Sequence, residues 1–119
     1  RAEALARARE GGVVRLLLPA IDKESNERLF ALAREAKDIC CPMMGLHPTS
    51  VADAANNERE MAIVERLLAD PDHHFVAVGE VGIDLYWDTS RRNEQIEVFE
   101  TQIAWAREVS RPAFSLSPK

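Results

Sequence analysis

An α/β fold built on a parallel sheet is what this sequence predicts, and three observations carry the prediction. Short apolar runs alternate along the chain with longer segments whose apolar residues recur at helical spacing. The connections between them are short, and strand–helix alternation of this kind implies parallel strands joined by helical crossovers. The length, 119 residues, with 46% hydrophobic and 29% charged residues, suits one small domain or a piece of a larger one.

Taken in order, residues 1–10 are rich in Ala and Arg and read as the end of a helix, closed by Gly11-Gly12. Residues 13–18 form an apolar run broken only by Arg15, a first strand, which leaves through Pro19-Ala20-Ile21-Asp22. Ser25 suits the N-cap of the next helix, whose apolar face is Leu29, Leu32, Ala33 and Ala36; Glu27, Arg28, Arg34, Glu35 and Lys37 form its solvated side. Residues 39–46 are a second strand, with Pro42 near its start, ending in Gly45-Leu46-His47-Pro48. Asn57 and Glu60 have capping-box spacing for a third helix faced by Met61, Val64, Leu67 and Leu68, and Pro71 stops it. A third strand begins at Phe75. Thr89 or Ser90 suits the cap of a fourth helix with the stripe Ile96, Phe99, Ile103 and Ala106; Pro112 ends it, and Ala113-Phe114 opens a further strand. This order fits a doubly wound sheet or part of a (β/α)8 barrel, and a full barrel takes about 250 residues. No glycine-rich dinucleotide or Walker loop follows any strand, which counts against a nucleotide-binding sheet.

The most informative run is Phe75-Val76-Ala77-Val78-Gly79-Glu80-Val81-Gly82-Ile83-Asp84-Leu85-Tyr86-Trp87-Asp88. Its first half reads as a strand buried on both faces. Glu80 then stands at the carboxyl end of that strand, where α/β folds place their chemistry, between two glycines that permit positive φ or close backbone approach. A turn with a solvated glutamate is the competing reading. His47 ends the preceding strand and suits either a site histidine or one satisfied by a loop carbonyl. Asp84 fits an orienting hydrogen bond, a substrate contact, or a plain Asx turn. Tyr86 and Trp87 suit stacking on a splayed base or an aromatic plug at the rim. His73 and His74 fall at the amino end of the same strand, the opposite rim from Glu80, and read as surface loop.

Gly79-Glu80-Val81-Gly82-Ile83-Asp84, followed by Tyr86 and Trp87, resembles the GE(I/V)G(L/I)D signature of TatD-type metal-dependent deoxyribonucleases. Gly45-Leu46-His47-Pro48 resembles the family's Gly-x-His-Pro segment, and Gln95, Phe99 and Gln102 resemble its Q-x3-F-x2-Q pattern. The resemblance implies a partial (β/α)8 barrel over residues 1–119, roughly the first half without the opening strand. It implies that Glu80 is the catalytic residue and a ligand of divalent metal, that His47 contacts substrate phosphate, and that Asp84 supports the shell or touches substrate. Magnesium favours oxygen ligands, whereas zinc and manganese accept mixed carboxylate and imidazole shells. The implied activity is hydrolysis of DNA phosphodiesters, exonuclease-like and directed at single strands, in a cytoplasmic protein.

Of the family's ligands the sequence carries only Glu80. The family's opening strand holds a His-x-His pair that is absent here, and Leu116 stands about where a strand-end histidine belongs. The segment by itself is therefore expected to have little or no activity, its full-length parent to be active. An amidohydrolase-type enzyme acting on a C–N bond, or a non-catalytic binding remnant, are the alternatives.

The net charge of −5 argues against an extended basic surface for duplex DNA. It leaves room for a nuclease, because a bound metal ion can supply the local positive charge a phosphodiester needs. No window approaches the roughly 20 apolar residues of a membrane span, no signal peptide is visible, and no protein partner is implied. Cys40 and Cys41 are adjacent, lack metal or redox spacing, and read as reduced thiols embedded in a strand.

Overall fold

The computed structural model describes residues 2–21, 23–86 and 89–115. The elements are α1 (Ala2–Glu10), β1 (Leu16–Leu18), α2 (Lys23–Glu35), β2 (Cys40–Met44), a 3-10 turn (Pro48–Ser50), α3 (Ala54–Ala69), β3 (Ala77–Val78) and α4 (Arg92–Glu108). The sheet order is β1-β2-β3 and every pairing is parallel, with Leu16 opposite Cys40 and Met44 opposite Val78. Parallel neighbours need a crossover, which α2 and α3 supply. The expected further strand begins as a parallel bridge between Val78 and Ala113, closed by Val78 N–H to Pro112 O (2.9 Å) and Phe114 N–H to Val78 O (2.8 Å).

The sheet is buried where a parallel sheet should be. Met44, Val78 and Val81 pack with Val64 and Leu68 of α3 and Ala106 of α4, flanked by Phe75, Phe99 and Trp105. A second cluster joins Ala36, Ile39 and Cys40 to Leu5, Leu16, Leu18 and Leu32. Full burial of such aliphatic side chains is worth about 1.5–3 kcal/mol each. β1 is the edge of the described sheet, and there Val14 (72%), Leu17 (55%) and Ile21 (50%) remain exposed. No described helix is long and apolar enough to cross a membrane.

Several local expectations are corrected. The strands are shorter than their apolar runs, because pairing stops where the chain turns over the sheet ends. α2 already begins at Lys23, so Ser25 lies inside its first turn rather than at its cap. Asp53 caps α3 by accepting from the Asn56 N–H at 2.9 Å, and Asn57 is buried within the helix instead of opening a capping box. Neither Thr89 nor Ser90 caps α4: its boundary is Arg91, which makes no side-chain cap bond and pairs with Glu94 at 3.0 Å. The arginine beside it holds the Glu94 carboxyl below the usual range. The buried face of α4 is Gln95, Val98, Gln102 and Ala106, so the expected stripe is rotated and Ile103 is 37% exposed. Trp87 and Leu116 lie outside the described residues.

Candidate active site

The carboxyl ends of the three strands converge on two glycines. A Cβ on Gly45 would lie 3.2 Å from the backbone N and C of Gly79 and 3.0 Å from Gln102 Oε1. A Cβ on Gly79 would lie 3.0 Å from Phe114 Cβ and 3.2 Å from Met43 Sδ. Only glycine lets the two backbones come this close. The contact brings His47, three residues past the end of β2, and Glu80, two past the end of β3, to one place. Backbone bonds lock it further: Gly79 N–H donates to Met44 O (2.9 Å), Ala20 N–H to Gly79 O (3.0 Å) and Glu80 N–H to Ala20 O (3.2 Å). The loop after β1 thus reaches over to hold the Glu80 backbone. Gly82 has φ +147°, and a Cβ there would lie 2.7 Å from Ser115 Oγ.

His47 and Glu80 meet directly, Nε2 to Oε2 at 3.0 Å, with side chains 16% and 14% exposed. His47 also opens the 3-10 turn, its Nδ1 accepting from Thr49 N–H at 3.1 Å with Thr49 Oγ1 at 2.8 Å. Because Nδ1 is an acceptor, the neutral ring carries its proton on Nε2 and donates it to Glu80. The sequence singled out both members of this pair, but not Thr49, whose place two residues after His47 was the available signal.

Asp84 is held differently. Its Oδ1 accepts from Tyr86 N–H at 3.1 Å, an Asx turn, and its backbone is paired with Gln95. Among the described residues no hydrogen bond or ion pair links the Asp84 side chain to His47 or Glu80. Tyr86 stands beside it, 76% exposed. His73 lies at the other end of the sheet, its ring stacked on Phe75 at 5.6 Å and its Nδ1 accepting from Phe75 N–H at 3.1 Å. With His74 it lines an open groove of about 780 Å³ between α2 and the loop before β3.

Glu80 offers a carboxylate oxygen of the kind a divalent ion takes, whereas both ring nitrogens of His47 are engaged, Nδ1 by Thr49 and Nε2 by Glu80. Glu80 has a second carboxylate oxygen beyond the one that accepts from His47. Among the described residues no group of three potential ligands lies together, so these residues do not by themselves make a metal site.

The family profile described as TatD related DNase matches residues 1–114. An uncharacterized metal-dependent hydrolase, YabD of Bacillus subtilis, is 34% identical over 110 residues, 92% of this chain and 41% of that protein. A 3'-5' ssDNA/RNA exonuclease TatD of Erwinia tasmaniensis is 32% identical over 114 residues, 96% of this chain and 42% of that protein. The crystal structure of YjjV, a TatD homologue from Escherichia coli K12, superposes on 99% of this chain and 45% of its own, with a TM-score of 0.81 at 28% identity. The chain thus spans less than half the length of the relatives it matches, and its parallel α/β architecture is part of a (β/α)8 barrel.

Proposed function

The chain belongs to the family of TatD-related DNases, and on that premise we propose that the whole protein hydrolyses phosphodiester bonds of single-stranded DNA, removing nucleotides as an exonuclease in the cytoplasm. Residues 1–119 would form one part of a single hydrolase domain. The observation that carries the reading is the Glu80–His47 pair at the strand ends, 3.0 Å apart and largely shielded from water. Relatives named as a metal-dependent hydrolase and as an ssDNA/RNA exonuclease support it.

Glu80 would hold a divalent ion through the oxygen that His47 does not occupy. When bound, such an ion neutralises phosphate charge and lowers the pKa of an attacking water. His47 fixes the rotation of the carboxylate through Nε2–H, as partners of metal ligands commonly do. A phosphate contact by His47 would use that same N–H, so substrate and Glu80 would compete for it. Asp84 would hold the loop that carries Tyr86 near the substrate. The anionic chain then relies on the ion, not on a basic surface, to draw in a polyanion.

The test is degradation of an end-labelled single-stranded oligonucleotide by the whole protein, with and without chelator. Metal-dependent release of nucleotides supports the reading. Turnover that survives both chelation and Glu80→Gln refutes the role given to Glu80.

A further inference from the structure

All three polar side chains that are fully buried among the described residues are amides: Asn57 (7% exposed), Gln95 (4%) and Gln102 (0%). Each does the same thing. Gln102 accepts from Leu46 N–H at 2.7 Å and donates to Leu46 O at 3.2 Å. Gln95 accepts from Asp84 N–H at 2.7 Å and donates to Asp84 O at 3.0 Å. Asn57 accepts from Ala52 N–H at 2.8 Å and donates to Ala52 O at 2.9 Å. A primary amide has a donor and an acceptor side by side, so it can pair with both backbone groups of one residue, as a neighbouring strand would.

The three pairs fall on two loops. Leu46 and Ala52 bracket the segment that carries His47, one end held from α4 and the other from α3. Asp84 sits in the loop that follows Glu80. Gln95 and Gln102 are seven residues apart, two turns of one helix face, so a single rigid element grips both loops. A buried backbone N–H or C=O has to be paired, but any polar group would suffice for that. Two-point pairing also fixes the orientations of the two peptide planes on either side of the residue.

We propose that Gln102, Gln95 and Asn57 are positioning residues of the active site, acting as a strand-like clamp that sets His47 against Glu80 and fixes the loop of Asp84. This rests on the proposed function of Glu80 and His47 and goes further, because it assigns the site's precision to α3 and α4. Residues that hold a site by such secondary contacts act through alignment, and small misplacements cost rate rather than binding.

The experiment uses the whole protein with Gln102→Met and Gln95→Met. Amide hydrogen exchange is read at Leu46 and Asp84, and kcat and KM are read on single-stranded DNA per folded enzyme. Gln102→Met is expected to speed exchange at Leu46 about tenfold while leaving Asp84 unchanged, and Gln95→Met the reverse. Each is expected to lower kcat by about tenfold to a hundredfold with KM within about threefold. If Gln102→Met does not fold, Gln95→Met carries the test alone, since it removes the same two-point pairing from Asp84 and leaves Leu46 paired. Unchanged exchange, or faster exchange with unchanged kcat, overturns the proposal and leaves purely structural amides. A wild-type protein with no nuclease activity overturns the functional reading beneath it instead.

Discussion

Gly45→Ala tests the packing on which the site depends. The new methyl would meet Gly79 backbone N and C at 3.2 Å and Gln102 Oε1 at 3.0 Å, and two of these three neighbours are backbone atoms that cannot rotate away. Overpacking a tight contact of this kind costs about 1–3 kcal/mol. The third neighbour carries the bond to Leu46, and weakening a buried hydrogen bond adds about 1 kcal/mol. A loss of about 2–4 kcal/mol is therefore expected, a large part of an ordinary domain's stability. Urea denaturation followed by circular dichroism measures it; with m near 2 kcal/mol per molar, the midpoint falls by about 1–2 M. Gly11→Ala is the control, since its Cβ would sit 3.4 Å from its nearest neighbour, an ordinary contact. If the two variants shift the midpoint equally, the close approach of the Gly45 and Gly79 backbones is not real and the placement of His47 beside Glu80 loses its support.

Burial pushes the Cys40 thiol up, so Cys41 should alkylate first in the native protein and Cys40 only on unfolding, as read by mass spectrometry of iodoacetamide-treated protein. Because the folded value is the higher one, the Cys40 contribution to stability is intact below the unfolded pKa of about 8.5 and is lost as pH rises through the folded value; thermal melts of Cys40→Ala against wild type from neutral to alkaline pH should show that slope removed. Arg9 holds the Asp38 carboxyl below its usual range across a 2.6 Å contact, so its small stabilising share is present above about pH 4 and fades as pH falls; Asp38→Asn should flatten that acid limb of the melting curve and change little at neutral pH. Tyr86, 76% exposed beside the Asp84 turn, is expected on mutation to Ala to raise KM for single-stranded DNA about fivefold or more with stability unchanged, and an unchanged KM would remove it from the substrate path.

Much of this architecture was legible because it is written in pattern. The apolar runs, the helix faces of α2 and α3, and the glycines around Glu80 all follow from period and turn chemistry. The charged side of α2, from Glu27 to Lys37, is exposed as its spacing indicates. Helix starts were less legible, since Asn57 and Glu60 have capping-box spacing while the path of the preceding loop makes Asp53 the cap. The face of α4 was misjudged for a physical reason: hydrophobicity points to Ile103, while Gln102 is buried because it serves the Leu46 backbone. That pairing joins residues 56 apart and leaves no local trace beyond two glutamines spaced by seven. The contact of His47 with Glu80 was likewise invisible, because it depends on strand register and on two glycines touching.

The proposed function turns on Glu80 holding a metal ion while His47 orients its carboxylate. Crystals of the whole protein soaked with zinc and measured at the absorption edge test it most directly. The expected result is an ion with a Glu80 carboxylate oxygen at about 2.0–2.2 Å and His47 Nε2 still donating to the other oxygen. An ion held entirely by other residues, with Glu80 turned only to His47, would contradict it.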